Sequence, residues 1–336
     1  MIARSEDFRA ALLAWYRRHA RRLPWRETPS LYRTVVSEFM LQQTQVKTVL
    51  PYFARWLAAL PDFAALAAAP EGQVLKLWEG LGYYTRARNL HRLARELAAR
   101  PAPPTTPEAW RELPGIGPYT AAAITSISFG TPAAVVDGNV VRVLARLTAD
   151  ASLQRDGSAA ARAFAPLASA LLDRRQPGDH NQAMMELGAT VCLRQGPLCP
   201  ACPVRPFCAV ARRGDPASYP RLAARRTEAV TVVRAWCRQR DRLLLHRTPR
   251  TARRLAEQHE LPTPEQLGLK PEVVQAGALL ARKRRAITRY RITEPIHAVE
   301  APANLPDGLV WVPVAEIESV TLSGPHRRWV RELLAR

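Results

Sequence analysis

The sequence predicts two folded parts, an all-helical domain over residues 1–210 and a small α+β domain over 228–336, joined by a linker at 211–227. Three observations carry this division. Apolar residues in the first two thirds recur every three or four positions, residues 211–227 are rich in Arg, Gly, Pro and Ala, and short β-branched or alternating runs follow. A chain of 336 residues is long enough for about two domains and for real apolar cores.

Each element follows from a local pattern. Leu90, Leu93, Ala94 and Leu97 mark one buried helix face, and Val140, Leu144 and Leu147 mark another. Pro24, Pro61, Pro70, Gly80-Leu81-Gly82 and the prolines between Pro101 and Pro107 punctuate short connections between helices. In the last third, Val230 to Trp236 and Leu243 to Leu245 read as strands, and Ile287 to Ile292 alternates as a further one. No repeat of solenoid type is present.

Charge and hydropathy narrow the class. The 49 Lys and Arg against 29 Asp and Glu give a formal charge of +20, and 45 of the 49 basic residues are Arg. An Arg-favouring genome explains Arg over Lys but not basic over acidic, so the surplus points to a polyanionic partner such as nucleic acid. It is spread along the chain, with +13 in residues 1–226 and +7 in 227–336, so no single basic tail accounts for it. A hydrophobic content of 47% excludes global disorder. No apolar run reaches the roughly 18 residues a membrane helix needs. The start Met1-Ile2-Ala3-Arg4-Ser5-Glu6-Asp7 is too polar for a signal peptide, so the expected location is cytoplasmic.

Four of the five cysteines, Cys192, Cys199, Cys202 and Cys208, fall within seventeen residues at the spacing C-x6-C-x2-C-x5-C. With no secretion signal, disulfides are a poor reading. Four thiolates suit either tetrahedral zinc or a 4Fe–4S cube. Zinc sites commonly use two tight Cys pairs and only one is tight here, which favours the cube, although spacing alone leaves zinc open. Cys237 stands apart and reads as a small buried hydrophobe.

Leu113-Pro114-Gly115-Ile116-Gly117-Pro118-Tyr119-Thr120 precedes the helical run Ala121-Ala122-Ala123-Ile124. Two glycines two apart permit a tight turn with exposed N–H groups, and the following helix N-terminus adds partial positive charge, which suits a phosphate oxygen. Gly115 and Gly117 are therefore candidate contacts to a DNA backbone, and such contacts read no base. By itself the pattern also fits an ordinary turn between helices.

The hairpin at about 108–128, Asp137 some twenty residues on, and the four-Cys loop together resemble the helix-hairpin-helix DNA glycosylases. Five further blocks narrow the resemblance to the adenine DNA glycosylases. They are Leu23-Pro24-Trp25-Arg26, Ser37-Glu38-Phe39-Met40-Leu41-Gln42-Gln43-Thr44-Gln45, Gly80-Leu81-Gly82-Tyr83-Tyr84, Val136-Asp137-Gly138-Asn139-Val140 and Asn181-Gln182-Ala183-Met184-Met185-Glu186-Leu187-Gly188. The resemblance implies a helical glycosylase domain with an iron–sulfur loop, followed by a small Nudix-like α+β domain. It also implies a 4Fe–4S cofactor, and as partner a double-stranded DNA with an adenine opposite 8-oxoguanine or guanine. The expected protein is a nucleoid-associated monomer that can meet a clamp or later repair enzymes.

Cleaving the bond between adenine and deoxyribose makes an oxocarbenium-like sugar and a poor leaving anion, so the reaction needs an acid at the base and a carboxylate at the sugar. The resemblance assigns Glu38 as the acid at adenine N7 and Asp137 as the second carboxylate, with Asn139 orienting it. A Glu beside Phe39, Met40 and Leu41 is placed for a raised pKa. Tyr119 stands where endonuclease III-like relatives carry a Lys; a phenol forms no imine, so the expected enzyme leaves an abasic site uncut. Tyr119 is expected near Asp137 and the sugar. Arg26, Trp25 and Glu186 match the adenine pocket that receives the flipped base. Gln42, Gln43 and Tyr83 match residues supporting the stack on the lesion side.

In the last third, Leu243-Leu244-Leu245-His246-Arg247 and Glu260-Leu261-Pro262 fit the family, but a Nudix hydrolase helix with its Glu cluster is missing. The family's recognition hairpin carries Phe-Ser-His where Ile287-Thr288-Arg289 stands here, and a Trp-rich loop is replaced by Arg253-Arg254-Leu255-Ala256-Glu257. Thr288 and Arg289 are the candidate lesion contacts, with Arg289 and Arg291 expected on one strand face beside Arg282-Lys283-Arg284-Arg285. A domain that only adds phosphate affinity is the alternative. Two other functions stay in view: a glycosylase of the same fold acting on thymine opposite guanine, and a non-catalytic DNA-binding protein.

Overall fold

The computed structural model describes residues 4–224, 226–252, 257–287 and 289–335. Thr288 and Arg253 to Ala256 lie outside the described residues. Helices run in the order α1 (Ser5–His19), α2 (Pro24–Glu27), α3 (Leu31–Leu41), α4 (Val46–Ala59), α5 (Phe63–Ala68), α6 (Glu71–Trp78), α7 (Thr85–Ala98), α8 (Pro107–Arg111), α9 (Pro118–Phe129), α10 (Gly138–Thr148), α11 (Gly157–Leu171), α12 (Pro177–Thr190), α13 (Ala209–Arg213), α14 (Pro271–Gln275) and α15 (Gly324–Leu334). Two compact units result. One comprises residues up to Ala68 and Asn89–Ala224, and the other comprises Ala69–Arg88 and Arg225–Arg336.

In the helical unit, chain punctuation sets the starts of the helices. The side chains of Ser30, Thr106, Asp137 and Asp156 accept N–H groups at the starts of α3, α8, α10 and α11, and Pro opens α2, α8, α9 and α12. α9 is apolar nearly all round, and Thr120 through Ser126 are buried, so it is an interior helix. The Thr125 and Ser126 hydroxyls donate to carbonyls one turn back, which satisfies them without water. Phe8, Leu12, Val140, Leu144, Phe164, Met184 and Leu187 pack into one core. α10 and α12 meet closely: a Cβ on Gly188 would stand 2.6 Å from Asn139 Cβ and 3.0 Å from its carbonyl oxygen.

The second unit carries β1 (Glu228–Thr231), β2 (Arg234–Trp236), β3 (Arg238–Gln239), β4 (Arg242–Arg247), β5 (His259–Glu260), β6 (Leu279–Ile287), β7 (Tyr290–Ala298) and β8 (Leu309–Pro313). In one sheet β7 pairs parallel with β1 and β2 and antiparallel with β6; in the other, β4 pairs antiparallel with β3, β5 and β8. Leu243, Leu244 and Leu245 are all buried, so β4 is covered on both faces. Leu243 and Leu245 join Trp236, Ile296 and Trp329 in one core, while Leu244 joins Cys237 and Val274 in another. Cys237 is fully buried, as its reading as a small hydrophobe expects. Arg234 and Glu294 are also buried here, as a pair at 2.7 Å. Burial would raise the Glu294 carboxyl, but His326, Arg234 and Arg285 outweigh it and hold it at about 2.

Three features differ from the sequence expectations. The run Ile287 to Ile292 is two strand ends joined by a tight turn, because Ile287 pairs with Tyr290 across the β6–β7 hairpin. Arg289 therefore lies in the turn, off the strand face that Arg291 occupies. The segment expected as linker is folded against the helical unit through residue 224: Arg146 donates to the Pro216 carbonyl at 2.8 Å, and Gln154 bridges Leu222. Finally, residues 69–88 pack with the C-terminal unit, a long-range association that no local pattern marks.

The close approach at Gly188 gives a sign that helix propensity alone reverses. Gly188→Ala is expected to destabilise by about 1–3 kcal/mol in denaturant unfolding, because the neighbouring backbone must shift. Gly72→Ala on α6, with nothing within 4 Å of the new Cβ, is expected to be neutral or to stabilise by up to about 1 kcal/mol.

Candidate active site

A cavity of about 670 Å³ opens in the helical unit, lined by side chains from α2, α3, α9, α10 and α12. Of the residues singled out in the sequence, it gathers Trp25, Arg26, Glu38, Tyr119, Asp137, Asn139 and Glu186. These positions span some 160 residues of chain, so their convergence is a property of the fold.

Glu38 is 7% exposed, on a face of α3 whose neighbours Val35, Phe39 and Met40 are fully buried. Burial pushes its carboxyl up to about 7, and the charge of Asp137 adds to the rise; the Tyr119 hydroxyl, which donates to Glu38, and the Arg26 guanidinium oppose it. Tyr119, expected near Asp137, shares the cavity with it and feels its charge; its hydroxyl bonds Glu38 and lies 3.2 Å from Met185 Sδ. Burial and the two carboxylates keep the phenol well above its ordinary value, so it stays a donor.

Asp137 caps α10. Its Oδ1 accepts the Val140 N–H at 2.8 Å, and its Oδ2 accepts the Asn139 amide at 2.9 Å. Burial raises this carboxyl also, and the two donors and the Arg142 charge only partly offset the rise. Of the two acids, Glu38 thus holds its proton more readily and Asp137 is the better-supported anion. Asn139 is in turn held by Arg142, whose Nη2 donates to Asn139 Oδ1 at 2.9 Å and whose Nε donates to the Cys192 carbonyl at 2.8 Å.

Glu186 on α12 has no exposed surface. Arg21 grips it through Nε at 2.6 Å and Nη2 at 3.0 Å, and Arg26 adds Nη1 at 2.9 Å. Burial would raise the carboxyl, but the two arginines outweigh it and hold it below the usual range. Trp25 is buried with its edge against Phe53, ring centroids 5.1 Å apart, and also reaches the cavity. Lys47 stands among the lining residues as well.

The remaining candidates lie elsewhere. Gln42 ends α3, and exposed Gln43 beside it has a left-handed φ of 57°. Tyr83 belongs to the second unit and shares this strain, with φ 49°. Gly115, at φ 77°, is pressed against Asn89 and Phe39, where a Cβ would meet atoms at 2.7–3.0 Å. Gly117 has open space and starts α9. Arg289 is exposed, over the Tyr290 ring and 3.3 Å from Glu228.

Cys192, Cys199, Cys202 and Cys208 line one cavity of about 240 Å³, with Arg146 beside them. Arg146 donates to Cys192 Sγ at 3.3 Å, and its carbonyl accepts from Cys208 Sγ at 3.4 Å. Among the described residues, no group of three or more His, Cys, Asp or Glu is arranged to hold a metal ion. Four soft thiol donors lining one cavity have the chemistry to hold an iron–sulfur cluster or a zinc ion.

The sequence alone does not single out Arg21, Arg142 or Gln182, the last accepting from Arg26 Nε at 3.1 Å. Arg21 and Arg142 are two of 45 arginines, and nothing local distinguishes them.

Residues 36–163 match the model of the HhH-GPD superfamily of base excision DNA repair proteins. The chain is 44% identical to the adenine DNA glycosylase of Homo sapiens over 63% of its own length and 41% of that protein's. It is 42% identical to that of Schizosaccharomyces pombe over 60% and 49%, and 39% identical to that of Mycolicibacterium smegmatis over 57% and 66%. The match thus spans about two fifths to two thirds of these relatives. A solved structure of a thermostable thymine-DNA glycosylase is similar at 27% identity and a TM-score of 0.55, over 62% of this chain and 97% of that one. An endonuclease III–DNA complex, at 21% identity and a TM-score of 0.51, shares the fold over 63% of this chain and 98% of that one.

The buried acid has a consequence for stability. Glu38 is neutral in both folded and unfolded chains below about pH 4.5, and as pH rises toward 7 the unfolded chain gains from ionising it while the folded chain does not. Wild-type stability contributed here is present at low pH and lost as pH passes through that window. Glu38→Gln is therefore expected to raise the melting temperature relative to wild type at pH 8 by more than at pH 4.5, measured by thermal unfolding; equal shifts at both pH values would contradict the raised pKa.

Proposed function

We propose, from the premise that residues 36–163 form a helix-hairpin-helix base excision repair domain, that this chain is a DNA glycosylase removing adenine mispaired with 8-oxoguanine or guanine. The observation that carries this reading is the pairing, in one cavity, of a protonatable Glu38 with an Asp137 whose carboxylate accepts the Val140 N–H and the Asn139 amide. Support for adenine comes from the curated relatives at 39–44% identity.

In this reaction the flipped adenine enters the cavity between Trp25, Arg26 and Glu186, which supply an apolar wall and fixed polar groups for its edge. Glu38 gives its proton to the base as the glycosidic bond lengthens, so adenine leaves neutral. Asp137, held by Val140 and Asn139, faces the cationic sugar. Glu38, now ionised, accepts a proton from the attacking water. Tyr119 keeps Glu38 oriented, and because a phenol forms no imine, the product is an intact strand with an abasic site.

In the same reading, Gly115 and Gly117 bind phosphate, Gln42, Gln43 and Tyr83 support the opened stack, and Arg289 meets the lesion side. Cys192, Cys199, Cys202 and Cys208 hold a 4Fe–4S cluster, which when bound ties the four ends of the loop together. Arg146 and Arg142 tether that loop to α10, the helix that Asp137 caps. The protein acts as a cytoplasmic monomer on double-stranded DNA. Thymine opposite guanine is the second reading, favoured by the structural likeness to a thymine-DNA glycosylase.

The test is a panel of duplexes carrying A:8-oxoguanine, A:G, A:C and T:G. The expected result is alkali-labile cleavage at the adenine opposite 8-oxoguanine and G, with excision slowed about 10²–10⁴-fold in Glu38→Gln while the duplex is still bound. Cleavage confined to T:G would favour the second reading, and breaks without alkali would overturn the Tyr119 assignment and direct attention to Lys47. The same preparation is expected to hold about four iron atoms per chain; stoichiometric zinc would overturn the cluster.

A further inference from the structure

The segment between α6 and α7 ends in a strained tip. Gly80, Gly82 and Tyr83 have φ values of 107°, 70° and 49°. The glycines adopt such angles freely, but the tyrosine does not, and the residue is nevertheless 49% exposed. A bulky aromatic stays in the left-handed region only where its surroundings over-determine it. Part of that constraint is local. Trp78 Nε1 donates to the Gly82 carbonyl at 3.1 Å, and Arg86 Nη2 donates to the carbonyls of Leu81 and Gly82 at 3.0 and 3.1 Å. The Arg86 guanidinium also stands over the Tyr83 ring, 5.5 Å from its centroid.

A further part comes from residues almost 250 positions away in sequence. Arg327, on α15, donates from Nε to Glu79 Oε1 at 2.6 Å, and both side chains are only 9% exposed. Lys76 takes the other Glu79 oxygen at 2.8 Å. The Arg327 fork also gathers the chain ahead of α15, through the Ile317 carbonyl at 2.7 Å, Glu318 Oε2 at 3.1 Å and the Val320 carbonyl. Lys76 donates to the carbonyls of Glu318 and Val320, and the Tyr84 hydroxyl donates to the Leu322 carbonyl at 3.3 Å. Glu79 sits directly before Gly80, so fixing its carboxylate fixes the entry to the strained tip, while Tyr84 fixes the exit.

We propose that Arg327 is a positioning residue for DNA distortion: through Glu79 it holds the Gly80–Tyr83 tip so that Tyr83 meets the duplex as a rigid aromatic wedge. This rests on the reading of the chain as a DNA glycosylase. Arg327 acts through Glu79 and not on the DNA. A wedge must push against stacked bases, and a loop free to relax out of its left-handed turn would fold back instead of unstacking them. Losing Arg327 leaves the buried Glu79 carboxylate to Lys76 alone and cuts its tie to α15, so the loop gains freedom to move.

The experiment combines single-turnover adenine excision with the fluorescence of 2-aminopurine placed beside the target adenine, at saturating protein. It compares wild type, Arg327→Leu, Tyr83→Ala and the double variant. Arg327→Leu is expected to slow excision about tenfold with duplex affinity changed less than about threefold, and to reduce the 2-aminopurine signal to the level of Tyr83→Ala. The double variant is expected to match Tyr83→Ala alone, because both losses act through one ring. Should Arg327→Leu not fold, Glu79→Gln, which keeps the volume and removes the charge, is read in the same cycle. Losses that multiply in the double variant, or a wild-type fluorescence signal in the single one, would overturn the proposal. A wild type that unstacks DNA but excises no base would overturn the glycosylase reading alone, since the fluorescence comparison would still report on the wedge.

Discussion

Two carboxyl groups share the cavity of the helical unit, and the repulsion between them, sharpened by burial, sets the conditions that the surrounding helices meet. Were both ionised and unsupported, neither would remain out of water. The fold resolves this asymmetrically. α10 gives Asp137 its own N-terminal N–H groups and the Asn139 amide, whereas Glu38, on an apolar face of α3, receives one phenolic donor and keeps its proton to about pH 7. The two carboxyls thus stand in unlike surroundings, one desolvated and one fed by donors, the asymmetry that cleavage of a glycosidic bond calls for. α12 completes the arrangement by carrying Met185 and Glu186 to the same cavity, and its close approach to α10 at Gly188 fixes the spacing.

The arginine surplus is used in two ways. Part of it is available for phosphate attraction, including exposed Arg282, Arg284 and Arg291 on the β6–β7 hairpin. Another part is committed to partners within the protein: Arg21 and Arg26 hold Glu186, Arg142 and Arg146 hold the cysteine loop, Arg234 neutralises Glu294, and Arg327 holds Glu79. The multi-donor guanidinium suits such work better than an ammonium does, which gives the near-absence of lysine a structural meaning beyond codon usage. The net charge of +20 thus overstates the surface available to DNA.

Much of the site was legible because its chemistry leaves short local patterns. The Gly-x-Gly turn before α9, the carboxylate capping α10 and the clustered cysteines each occupy a few adjacent residues. The amphipathic helices α7 and α10 were equally legible from Leu90 to Leu97 and Val140 to Leu147, since their buried faces repeat. What escaped depends on distance. Nothing near Glu79 announces Arg327, and nothing near Arg21 announces Glu186, because each pair joins segments far apart in sequence. The turn at Arg289 escaped for a different reason: the sequence there has no glycine or asparagine of the kind that usually marks a tight hairpin, so the alternation from Ile287 to Ile292 reads as unbroken.

The central claim, that a buried and protonated Glu38 drives the reaction, is tested most directly by the pH dependence of single-turnover excision from an adenine mispair. The expected rate falls as pH rises through about 7, the value to which burial and Asp137 push the carboxyl, with a tenfold loss per pH unit beyond it. A rate that stays level or climbs across the same range would contradict the account.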